Sequence, residues 1–166
     1  CKWSHIGMII IDDKYDSPLV RECTHNDRVP GLDLGEKTQG VQVVHLKDRL
    51  EGYNGDIAIM RLTGHTPTIE DLKSFDKYRR DSIGVQFESN YFEAFLSMFK
   101  WVHNSGEFDT RFCTEDFAGA YIALGLLPDS FRKHKLTPAD IVRGRVKLKN
   151  GYLSKPCYIK EYTNKL

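Results

Sequence analysis

Cys113 stands at the head of residues 112–127, an apolar helical pattern that opens at the cysteine and closes near Gly125. A thiol in the first turn of a helix lies in the positive end of the backbone dipole. That position favours thiolate, and thiolate is the nucleophile. Glu115 and Asp116 follow in the same turn. They suit a helix N-terminus but oppose ionisation of the thiol, so a partner cation has to offset them. His5 lies far upstream in residues 3–11, flanked by the small residues Ser4 and Gly7. An imidazole can take a proton from a thiol and return it to a leaving group. Glu22 lies on the next strand-like stretch, where hairpin pairing would bring it beside the ring. A carboxylate there would fix the tautomer and stabilise the imidazolium. Nucleophile, base and orienting acid are the parts of a thiol site for acyl transfer.

Each residue has a plainer reading. A free cysteine is commonly a small buried hydrophobe. A lone histidine in an apolar strand is commonly a hydrogen-bonded core residue, and a strand-face glutamate can simply pair with Arg21 or Arg49. Among the other histidines, His45 is the rival to His5, because it too sits in a strand pattern. Cys23 adjoins Glu22 and should face the other side of its strand. Cys157 follows Pro156 in a late strand and reads as structural, and Cys1 is terminal.

The elements that must position these groups can be read in order. Residues 3–11 predict a first, buried strand, 12–18 a polar turn, and 19–24 a second strand pairing with the first. Residues 26–40, rich in Gly, Asp and Pro, predict a long loop. Strands are expected over 41–46 and 57–62, with a short helical or turn segment over 46–53 and a turn at Asn54-Gly55. Thr66-Pro67 should open a helix with Ile69, Leu72 and Phe75 along one side. Asn90 followed by Glu93 should open a strongly apolar core helix that runs through Phe92, Phe95, Leu96, Phe99 and Val102. The Cys113 helix comes next, then a short helix from Thr137-Pro138, then strands over 145–149 and 157–162. Strands early, helices in the middle and strands late favour α+β over a doubly wound parallel sheet.

Bulk properties narrow the function. The 166 residues make a single domain over 1–166 the default, with room for a real core. A net charge of +1 favours neither nucleic acid nor an acidic membrane surface. The basic cluster at 132–135 and 143–149 reads as a solvated face. The four cysteines form no C-x-x-C pair, and no His-x-x-x-His or His-Glu-x-x-His spacing occurs, so no metal is expected. Neither a phosphate loop nor a dinucleotide fingerprint appears, and no cofactor is expected. No secretory h-region or bilayer-length apolar run is present, which argues against stable membrane insertion and slightly favours an intracellular setting.

Several segments, in order, resemble the circularly permuted papain-like hydrolases of the NlpC type, in the branch with bacterial YiiX-like amidases and a poxvirus protein of similar size. Trp3-Ser4-His5-Ile6-Gly7-Met8-Ile9-Ile10 is similar to that family's histidine strand, and Leu19-Val20-Arg21-Glu22 to its following strand with a glutamate. The stretch Gly40-Val41-Gln42-Val43-Val44-His45-Leu46 is similar to its Gly-Val segment. Phe112-Cys113-Thr114-Glu115 through Gly125-Leu126-Leu127 resembles its nucleophile helix, and Thr137-Pro138-Ala139-Asp140 its Thr-Pro-x-Asp segment. The order His, Glu, Cys inverts that of ordinary papain-like enzymes, which a triad defined by geometry permits. A strand that the family carries ahead of its histidine strand is not seen here, Thr114 replaces a common serine, and the 26–40 loop is long.

The resemblance implies an α+β permuted papain-like fold, with a small antiparallel sheet or half-barrel packed on helices that include the nucleophile helix. It implies a hydrolase of amide, ester or thioester bonds with Cys113 as nucleophile, His5 as base then acid, and Glu22 orienting His5. The substrate would be a peptide-, amide- or lipid-linked acyl group. The alternatives are a non-catalytic binding domain on the same fold, a thiol acyltransferase acting on lipid, or an interaction protein that docks through the aromatic segment 91–101. The sequence assigns neither oligomeric state nor compartment.

Overall fold

The computed structural model describes residues 3–25, 28–87, 110–111 and 113–161. Its centre is a five-stranded sheet in the order β1-β2-β3-β6-β7, formed by β1 (Gly7–Ile10), β2 (Leu19–Thr24), β3 (Gly40–His45), β6 (Gln86–Phe87) and β7 (Thr110–Arg111). The pairs β1/β2, β2/β3 and β3/β6 are antiparallel, and β6/β7 is parallel. Two small antiparallel sheets join β4 (Ile57–Ile59) to β9 (Cys157–Lys160) and β5 (Leu62–Thr63) to β8 (Tyr152–Leu153). The helices described are α1 (Leu46–Gly52), α2 (Ile69–Ser82), α3 (Cys113–Ala123) and α4 (Pro138–Val142). The protein is therefore mixed α+β, with small sheets that are largely antiparallel.

The expected pairing of β1 with β2 is present, from Gly7 opposite Glu22 to Ile10 opposite Leu19, and β2 also pairs with β3, from Leu19 opposite His45 to Thr24 opposite Gly40. All six β2 residues are buried, as a strand covered on both faces requires. Below the sheet, Phe117, Ala118 and Tyr121 of α3 form a core with Leu124, Leu126, Leu127, Leu136 and Ile141. Ile6 and Met8 pack against it from the β1 side. α3 stops where expected. Gly125 adopts φ +69°, its N–H bonds the Ile122 carbonyl, and the Leu126 N–H bonds that of Tyr121, a Schellman closure.

Four local expectations need correction. The first strand spans Gly7–Ile10 rather than 3–11, so His5 lies just ahead of it. The chain there turns away toward β9, and the Trp3 ring meets Tyr158 at 5.6 Å. The 57–62 strand is two strands, β4 and β5, each with its own partner. α2 is capped by Thr68, not Thr66. Asp71 stands three residues beyond Thr68 and completes a reciprocal capping box, whereas Thr66 has Ile69 in that place. Of its apolar stripe, Ile69 is 73% and Leu72 50% exposed, and only Phe75 joins the core.

The alternation over 145–149 is real but forms no strand. Val146 and Leu148 pack on the core while the Lys149 N–H bonds the Leu126 carbonyl. The pairing strand is β8, two residues further on, after Gly151 at φ +74°. The 157–162 strand is found as β9 over Cys157–Lys160, and the short helix from Thr137-Pro138 is found as α4, which Thr137 caps with Asp140. The helix expected from Asn90, with its aromatic segment 91–101, lies outside the described residues, as do Cys1 and Phe112.

Candidate active site

Gly7 is the Cα partner of Glu22, and Glu22 that of Gln42, so these positions share one row across the sheet. A Cβ on Gly7 would stand 2.9 Å from Val20 Cγ2 and 3.4 Å from Glu22 Cβ. The missing side chain is what lets the β1 and β2 backbones approach at this point, with Val20 and the Arg21 carbonyl closest. His5 lies two residues before Gly7, ahead of the strand. Its Nε2 lies 2.9 Å from Glu22 Oε2, with Glu22 buried and His5 about one-third exposed.

Cys113 is the first residue of α3 and is half-buried. Its side chain lies close enough to His5 to favour the charged form of the ring. The structure thus brings together Cys113, His5 and Glu22, which are distant in sequence. Burial works against a charged ring at His5. The hydrogen bonds and negative charge of Cys113 and Glu22 outweigh it, and its pKa rises from the usual 6.5 to about 9. A narrow cleft beside the sulfur is lined by Ile6, Gly7 and Met8 of the β1 side, Arg21 and Glu22 of β2, and Cys113, Asp116 and Phe117 of α3.

The two acids of the first turn of α3 were expected to oppose a thiolate. Asp116 is instead turned into the sheet, where Arg21 Nε and Nη2 donate to Oδ2 and Oδ1 at 3.1 and 2.6 Å. Arg21 Nη2 also donates to Ser82 Oγ at 2.7 Å, and the Tyr78 hydroxyl donates to Asp116 Oδ1 at 3.0 Å. The Arg21 guanidinium carbon sits 5.3 Å from the centre of the Tyr78 ring. This polar layer ties β2, α2 and the N-terminus of the cysteine helix together. Gly119 permits the close approach of α2, since a Cβ there would meet the Tyr78 hydroxyl at 2.3 Å.

Glu22 has a second cation. Arg49 Nη2 of α1 stands 2.5 Å from Glu22 Oε1, an ion pair not aligned as a hydrogen bond. Of the two arginines weighed as partners for Glu22, Arg49 fills the place and Arg21 goes to Asp116. His45 is removed from the site: its Nδ1 lies 2.9 Å from Ser17 Oγ, and its ring meets Tyr15 edge-on. Cys23 is buried and Cys157 exposed. Among the described residues no group of three or more His, Cys, Asp or Glu is placed to hold a metal ion. The parts the sequence did not disclose are Tyr78, Ser82 and the Arg21–Asp116 pairing, which join positions up to 95 residues apart with no motif to mark them.

Compared with protein-family models, curated proteins and solved structures, the chain matches none.

Proposed function

We propose that the chain is a cysteine hydrolase that cleaves an amide, ester or thioester bond through an acyl-enzyme intermediate. The observation that carries this reading is His5, hydrogen-bonded to Glu22 and close enough to Cys113 for both groups to favour the charged ring. An imidazolium beside the sulfur favours the thiolate. The thiolate attacks the substrate carbonyl, and the negative charge passes to its oxygen. The Cys113 backbone N–H, at the open end of α3, is one donor to that oxygen. The intermediate collapses to a thioester as His5 gives its proton to the leaving group. Water then attacks, losing its proton to His5, and releases the acid and the thiol. Glu22 keeps the ring in place and offsets its charge.

The resemblance to the permuted papain-like hydrolases of the NlpC type supports this assignment and the corresponding fold. It suggests a peptide-, amide- or lipid-linked substrate. Among the described residues no helix is long and apolar enough to cross a membrane.

The test is turnover of a small panel comprising a p-nitrophenyl ester, a peptide p-nitroanilide and an acyl thioester, with mass spectrometry of the acyl adduct. An adduct on Cys113 is expected, lost in Cys113→Ala and His5→Ala with the circular dichroism spectrum unchanged. Full turnover in Cys113→Ala would end this reading.

A further inference from the structure

Arg49 is enclosed beside Glu22 yet has no part in the acyl-transfer scheme. The ion pair at 2.5 Å leaves the Arg49 side chain 9% and the Glu22 side chain 3% exposed. The other carboxylate oxygen holds His5. One buried carboxylate therefore bridges two positively charged partners from different elements, α1 and the segment ahead of β1. Two cations on one carboxylate leave an excess of positive charge, and enclosed charge has to be balanced locally. The other group beside His5 that can supply the second negative charge is the Cys113 sulfur.

α1 is held as a support for such a charge. The Leu46 N–H bonds the Pro18 carbonyl at 3.0 Å, which ties the start of α1 to the entry of β2. Lys160 Nζ of β9 donates to the Leu50 and Tyr53 carbonyls at 2.6 and 2.7 Å, which closes its other end. Arg49 lies between these two anchors.

We propose that Arg49 is a positioning residue of the site: paired with the Glu22 oxygen that His5 does not hold, it is the second fixed cation that stabilises the Cys113 thiolate. This rests on the acyl-transfer reading above. Cys113 of α3, His5, Glu22 of β2 and Arg49 of α1 then form an alternating row of charge with no net excess.

The test uses iodoacetamide on the whole chain, with Cys113 modification resolved by mass spectrometry across pH, and NMR titration of the His5 ring. Arg49→Met should slow alkylation on the acid limb of the profile about tenfold, the scale of one unit charge lost from a partly buried site at an effective dielectric near 20. It should also move the His5 midpoint upward, because removing a cation favours imidazolium. Arg49→Lys, which returns a cation without the planar fork, should rescue the acid-limb rate to within about threefold of wild type. An unchanged acid limb in folded Arg49→Met, or a His5 midpoint that falls, overturns the proposal. If Arg49→Met does not fold, a tenfold loss in folded Arg49→Lys overturns it. His5→Ala separates the two claims. Alkylation indifferent to His5 removes the acyl-transfer reading itself, whereas slow His5→Ala beside an unchanged Arg49→Met removes only the role of Arg49.

Discussion

Replacing Asp116 by Asn takes one charge out of an ion pair whose members are 0% and 4% exposed at the side chain. The exchange is nearly isosteric, so packing is preserved and electrostatics alone is tested. Asn can still accept one hydrogen bond from Arg21 or Tyr78, but the second arginine bond loses its acceptor. Arg21 Nη1 already has no hydrogen-bond partner, so the guanidinium keeps its full charge with less to balance it. Removing one partner of a buried pair costs about 3–5 kcal/mol. Domains of this size are stable by only about 5–15 kcal/mol, so the variant should lose at least about a fifth of its stability. Urea unfolding at neutral pH is the assay, with the slope of the transition checked against wild type. A loss below about 1 kcal/mol at an unchanged slope would refute the idea that this pair clamps the cysteine helix to the sheet.

Acyl-enzyme formation should fall as pH rises through about 9, where His5 loses its proton. Because folding raises the His5 pKa, its stabilising share is complete below 6.5 and is lost between 6.5 and about 9. The gap in unfolding free energy between wild type and His5→Ala should therefore shrink over that window. The change should be on the order of 1–2 kcal/mol once solvent screening of the part-exposed ring is allowed for. Gly7→Ala places a Cβ 2.9 Å from Val20 Cγ2. It should lower stability by about 1–3 kcal/mol through overcrowding and slow Cys113 alkylation by pushing β1, and His5 just ahead of it, away from β2, both readable on one purified variant. Wild-type values for both would remove the steric account of Gly7.

The catalytic candidates were legible because their chemistry has local signatures. A thiol at the start of an apolar run ending in Leu124-Gly125 marks a helix N-terminus on its own. The β2 and β3 patterns are likewise local, and both strands appear where the residues placed them. What failed depended on partners. His5 drops out of β1 because residues 3–6 turn toward β9, a neighbour more than 150 residues away in the chain. Val146 and Leu148 alternate like a strand but have no strand beside them. Thr66 and Thr68 both precede the same helix, and only the carboxylate three residues beyond Thr68 distinguishes the true cap. The fate of Asp116 was the least accessible. Adjacency to Cys113 suggested an unwelcome charge, and only the fold reveals that Arg21 takes it up.

The distance in sequence between His5 and Cys113 has a kinetic consequence. During synthesis at roughly 5–20 residues per second, the nucleophile follows its base out of the ribosome by roughly 5–20 s. Throughout that interval β1 and β2 can pair, since their link is short, but the imidazole has no sulfur beside it and Arg21 has no Asp116. Closing so long a loop is a slow step that sets contact order. The nascent chain is therefore expected to be chemically inert until α3 docks, with reactivity appearing late and together with the burial of Arg21. Pulse alkylation of Cys113 during refolding, timed against tyrosine fluorescence, would report whether the two arrive as one event.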